Sequence, residues 1–203
     1  MRSILRILRK SHPSRLFESV PSAESLSSPG NLEKREEPVR WTMDNQVRLT
    51  DVFPMPEEAK KLRVFLGEWR AKGTLSFDGR DIDVRGTVKA STVAAAWGVL
   101  VIGKLEIEGL GEYEEADLLT FEQGASTFHY FSVTNTGAAY DHRGKWASDS
   151  KIDFLFEGHQ RGMPYSENLT FYLPDLNHIA VHESDTLDGK VYSVMDVVLS
   201  KQG

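Results

Sequence analysis

Two hydrophobic periods divide the chain. Ala59, Leu62, Phe65 and Leu66 recur at spacings of three and four, the period of one helix face. Pro56 suits a first helical turn, Glu57 and Glu58 suit its positive end, and Gly67 stops the pattern, which predicts a short helix over 57–66. After Trp69 period two takes over. Val84 to Ala90 alternates, with Arg85 and Lys89 on one face, and Val99 to Glu108 does likewise. Further strands are predicted at 112–122, 126–135, 138–147, 151–157, 165–173, 178–184 and 190–200. Asp78-Gly79, Gly109-Leu110-Gly111, Gln123-Gly124, Arg161-Gly162, Pro174-Asp175 and Asp188-Gly189 supply the turns between them.

About ten short strands with no helix between them leave a sandwich or a barrel. Sequential hairpins without a long crossover favour a closed antiparallel up-and-down β-barrel, which removes exposed edges and is wide enough at this strand number to hold a small ligand. The fold expected is all-β, with the short helix capping one end.

Residues 1–46 differ from the rest and are expected to form a flexible basic, Ser-rich extension, with the barrel domain over 47–203. On a helix, Ile4, Leu5, Ile7 and Leu8 share one face, and Arg2, Arg6, Arg9 and Lys10 the other. Pro13 ends that helix, and a Ser/Pro/Glu-rich stretch follows. Three readings stay open: a helix docking residues 2–10 on an anionic membrane surface, an organelle transit peptide, or an unstructured extension with the true start at Met43. No apolar run approaches the roughly 20 residues of a spanning helix, so an integral membrane protein is not expected. A formal net charge of −6, with clustered basic residues only in the first ten, argues against nucleic acid as a partner. The chain has no cysteine, which excludes disulfides, thiolate nucleophiles and Cys-based metal sites and fits a reducing, cytoplasmic setting.

Leu66-Gly67-Glu68-Trp69, between helix and first strand, resembles the Gly-x-Trp opening of the lipocalin and calycin superfamily, in which the tryptophan closes one end of the barrel. More widely, residues 56–201 resemble an uncharacterised bacterial branch of lipocalin-like domains of unknown function. That branch starts with a helix and a Leu/Gly/Trp/Gly opening (here Leu66, Gly67, Trp69, Gly73). It carries a middle Tyr-Asp-x-x-Gly-x-Trp (Tyr140, Asp141, Gly144, Trp146) and a late Gly-x-Pro-Tyr (Gly162, Pro164, Tyr165). It brings no assigned activity. Many lipocalins lay an arginine of the last strand over the tryptophan; here that strand offers only Lys201. A more distant resemblance to nitrobindins implies haem held by a barrel histidine, although their surrounding motifs are missing.

Local catalytic motifs are also missing, so an enzyme is not the favoured expectation. His178 and His182, four apart, have a zinc spacing only on a helix; on a strand they stand roughly 13 Å apart. Asp141-His142 and Ser148-Asp149-Ser150 lack a nucleophile elbow. The pairs Glu106/Glu108, Glu112/Glu114 and Asp81/Asp83 read as outer surface. His129 lies outside if Phe128 and Tyr130 face inward, and in the cavity if the register is reversed; the outward register is preferred. Trp97, Phe128, His129, Tyr130, Tyr140, Trp146, Phe154 and Phe171 are the candidate ligand contacts, with Phe156 and Tyr172 as further large side chains; Gly67 and Trp69 are structural. The function expected is a binding protein holding a small apolar or amphipathic molecule in the barrel. A haem protein or small-molecule enzyme, and a non-enzymatic interaction module, are the alternatives. No cofactor beyond that haem alternative is expected, and a homodimer is plausible.

Overall fold

The structure, a computed structural model, describes residues 54–203. The expectations for the basic N-terminal helix and a start at Met43 fall outside those residues. Ten strands, β1 (Gly67–Phe77), β2 (Arg80–Val93), β3 (Gly98–Ile107), β4 (Gly111–Glu122), β5 (Thr127–Thr134), β6 (Ala139–Ser148), β7 (Lys151–Gln160), β8 (Met163–Tyr172), β9 (His178–Leu187) and β10 (Lys190–Lys201), follow in sequence. Each pairs antiparallel with its chain neighbour, and β1 pairs with β10 to close the barrel. The predicted up-and-down topology is the one observed.

Before β1, residues Glu57–Lys61 form α1, and Leu62–Phe65 tighten into a 3-10 turn. This cap buries Ala59, Leu62 and Phe65 against one end of the barrel. Gly67 then adopts φ 131°, a conformation closed to L side chains, which lets the chain enter β1 directly. Three hairpins at the opposite end turn on an X-Gly pair with both residues at positive φ: Asp78-Gly79, Arg161-Gly162 and Asp188-Gly189. That is the backbone of a type I′ turn, whose twist matches the flanking strands.

Alternation along the strands sends one residue in two to the interior. Close to the cap these are apolar: Trp69, Leu119, Phe121, Phe128, Ile152, Phe154, Phe171, Ile179 and Leu199 are all buried. The Trp69 indole N–H donates to the Phe65 carbonyl at 2.9 Å, tying cap to wall. Lys201 Nζ lies 5.1 Å from the centre of the Trp69 ring. Lys201 thus stands over the tryptophan where many lipocalins place an arginine. Beneath the cap this floor is packed, leaving a cavity of about 30 Å³ among Phe65, Trp69, Leu119, Tyr130, Phe171 and neighbours. That is room for about one water molecule.

Candidate functional site

Moving from the floor toward the turn-lined end, the inward positions change character. On β4, the inward series Phe121, Leu119 continues as Asp117, Glu115 and Tyr113. On β8, Phe171 and Leu169 continue as Glu167 and Tyr165; on β9, Ile179 and Val181 continue as Glu183 and Asp185. Two walls of the barrel thus carry carboxylates at the same height. Between them β6 contributes Tyr140 and His142, β5 Tyr130 and Ser132, and β10 Ser193. Tyr113, Glu115, Tyr140, Glu183 and Asp185 are only partly buried although they face inward, because the lumen opens to solvent at this end.

A chain of hydrogen bonds runs around the lumen. Tyr130 donates its hydroxyl proton to Asp117 Oδ2 at 2.7 Å. The backbone carbonyl of Tyr130 accepts from His142 Nδ1 at 3.1 Å, and since a carbonyl can only accept, this nitrogen carries a proton. His142 Nε2 lies 2.8 Å from Glu167 Oε1. Tyr165 Oη is 3.0 Å from both Glu167 Oε2 and Asp185 Oδ1, and the other Asp185 oxygen accepts from Ser193. One phenolic proton serves only one of its two carboxyl neighbours, so the second contact needs a proton on a carboxyl group.

The protonation states follow from these surroundings. Burial opposes the charge on His142, but the hydrogen bond and charge of Glu167 outweigh it and raise its pKa, which favours the protonated imidazole beside Glu167. Burial, helped by the Asp117 charge, pushes Glu115 up to about 8. Burial pushes Asp117 up to about 6, with hydrogen bonds from Tyr130 and Ser132 holding it back. Burial followed by the charge of Glu167 raises Glu183 well above the ordinary carboxylate range, and burial raises Asp185. Burial also lifts the Tyr113, Tyr130 and Tyr165 hydroxyls, so they remain neutral donors.

His142 is the single inward base of this cluster among the described residues. Lysines and arginines of the strands sit on outward positions, as in the pairs Arg85–Glu106, Lys89–Glu68 and Lys104–Glu114, or at strand ends. Asp117 is fully buried, and while Oδ2 accepts from Tyr130 its Oδ1 has no hydrogen-bond partner among the described residues. Glu167, Glu183 and Asp185 each place an oxygen within 4.8 Å of the other two, a spacing that a hard divalent cation can bridge.

The residues singled out from sequence divide three ways. Phe128, Tyr130, Trp146, Phe154 and Phe171 face inward but belong to the packed floor or its border; Phe128 lies 4.8 Å from Phe121 and 6.4 Å from Trp146 between ring centres. The Trp146 indole N–H is buried without a partner. Tyr140 lines the open part, stacked on Phe156 at 4.4 Å and 5.6 Å from Tyr165. His129, Trp97 and Tyr172 are not in the lumen. His129 points outward, as the preferred register expects, yet it is 8% exposed rather than solvated. Asp141 and Glu122 hold its two nitrogens at 2.9 and 3.1 Å, and Phe131 stacks on its ring. Trp97 sits in the 3-10 turn between β2 and β3, off the barrel wall, and Tyr172 is exposed outside. His178 and His182 are outward too, each paired with its own aspartate.

None of the five carboxylates belongs to a local motif, and none is singled out from the sequence. The alternation carried the signal: the inward phase set by Leu119 and Phe121, by Leu169 and Phe171, and by Ile179 and Val181 runs straight into them.

No protein-family model matches the chain, and no curated protein is similar to it in sequence. Among solved structures it is similar to the S-type phycobiliprotein lyase CPES from Guillardia theta, with a TM-score of 0.52 and 10% identity. The match covers 74% of this chain and 94% of that one. The fold is a lipocalin-like barrel. Identity this low speaks for the fold alone, and a lipocalin-like barrel hosts many activities. This barrel sets a packed apolar floor under an acidic, tyrosine-rich lumen.

Proposed function

We propose that the protein binds a small amphipathic molecule in the open part of its barrel. The observation that carries this reading is the split interior. The apolar half is filled, while the half reachable from solvent is lined by aromatic faces and by hydrogen-bonding groups left with spare capacity. A protein that needed only a stable core would fill both halves alike, since buried carboxyls cost stability unless they are fully paired. The purely apolar ligand allowed by the sequence is disfavoured, because the floor holds about 30 Å³ and the open part is polar. The ligand's aromatic or aliphatic body lies against Tyr140 and Phe156, and its polar end meets the carboxylates.

Haem receives no support from this geometry. His129 is outside, and both nitrogens of the inward His142 are engaged. Native mass spectrometry of protein purified without denaturation tests the binding reading. An additional mass that is lost on unfolding is expected; a bare chain that also binds no probe of the lumen contradicts it.

A further inference from the structure

Resting on that reading, we infer that the ligand is an organic cation whose N–H donors span the lumen from Asp117 on β4 to Glu167, Glu183 and Asp185 on β8 and β9. Three observations converge on it. Carboxyl groups stand on facing walls of one lumen that is partly open at the turn-lined end, and the one inward base among the described residues, His142, is already committed to Glu167. Asp117 is fully buried with Oδ1 unpartnered among the described residues, an acceptor prepared for a donor that none of them provides. Tyr140, Phe156 and Tyr165 cluster within 4.4 to 6.2 Å of one another beside Glu167 and Asp185, an aromatic surface for the body of an organic cation.

A single metal ion explains less. An ion bridging Glu167, Glu183 and Asp185 satisfies one wall and leaves the orphaned oxygen of Asp117 as it was. It would also compete with the bonds that Tyr165, Ser193 and His142 already make to two of those three carboxyls. A protonated amine, amidinium or guanidinium attached to a planar or apolar body can reach both walls. A cation draws the carboxyl groups that burial pushes toward the neutral form into their ionised form, which neither an anionic nor a neutral molecule does.

The test uses the full chain near neutral pH, with three probes that share a phenylethyl group: 2-phenylethylamine, 2-phenylethanol and 3-phenylpropionate. A diamine (putrescine), guanidinium and calcium are run alongside. Binding is read by calorimetry and by the shift in melting temperature, and the site by carboxyl-carbon NMR of Asp117. Amines are expected to raise the melting temperature and move the Asp117 resonance, whereas the alcohol and the carboxylate do neither. Asp117→Asn is expected to weaken amine binding by about tenfold, the loss of one charge-assisted hydrogen bond. Should that variant not fold, Asp185→Asn carries the same expectation.

Equal binding of the alcohol or the carboxylate overturns the cation assignment while leaving small-molecule binding intact. A response to calcium without one to any amine replaces the organic cation with a metal ion. Binding of no probe, when native mass spectrometry still finds a passenger that is neutral or anionic, overturns the inference alone; a bare chain as well removes both readings.

Discussion

At the scale of single residues, the interior is held by a few pairs whose removal has a calculable sign. Glu167 compensates the buried His142 imidazolium, and Glu167→Ala should cost about 3–5 kcal/mol, the usual penalty for stranding one member of a buried pair. The His142 pKa, followed by NMR in a milder Glu167→Gln variant, should fall, since burial then acts without its counterweight. Gly103 shows a different dependence. A Cβ there would come within 2.7 Å of Glu115 Oε1, so Gly103→Ala should displace the Glu115 side chain and lower its pKa while the fold persists. Outside the lumen, Ala94, Ala95 and Ala96 run consecutively at φ 49°, 55° and 71°, a left-handed stretch that costs L residues roughly 1–2 kcal/mol each. Ala95→Gly should therefore stabilise the protein by about 1 kcal/mol in denaturant unfolding. A destabilised variant would mean that this turn is not left-handed.

At the scale of elements, the cap and the strands differ in how openly the sequence states them. Period two and the X-Gly turns state the strands, because a two-residue hairpin needs positive φ at both positions and few sequences permit it. The cap is stated by Pro56, Glu57 and the Gly67-x-Trp69 opening, and it closes the barrel as the resemblance implied. Lys201→Met should cost about 0.5–1 kcal/mol through the lost cation–π contact with Trp69, without moving the cap. The site was far less legible. Its residues are ordinary acids spread over β4, β8 and β9, and only pairing register shows that they share a height. Register also decided His129, whose aromatic neighbours Phe128 and Tyr130 made it conspicuous while sending it outward.

At the scale of the molecule, acids inside and paired charges outside make stability depend on pH in an unusual sense. Glu115, Asp117, Glu183 and Asp185 all bind protons more tightly folded than unfolded, and so does His142 against Glu167. Outside the lumen, His129 between Asp141 and Glu122 shifts the same way despite its burial. Tyr113, Tyr130 and Tyr165 face these groups but stay neutral throughout. Raised values stabilise the fold fully below the unfolded-state pKa and lose that contribution as pH climbs through the folded-state one. The melting temperature should therefore fall as pH rises through about 6, for Asp117, and about 8, for Glu115. A cationic ligand should reverse much of that fall, since it favours the ionised carboxylates and binds only the folded barrel.

The most direct test of this account is the ionisation of the lumen carboxyls themselves, followed by carboxyl-carbon NMR across a pH titration of the free protein. Glu115 is expected to titrate near 8 and Asp117 near 6, while outward acids such as Asp153 titrate below the ordinary carboxylate value. If Glu115 and Asp117 instead titrate near 4 with the surface acids, the lumen does not hold its carboxyl groups away from water, and the case for a ligand in it fails.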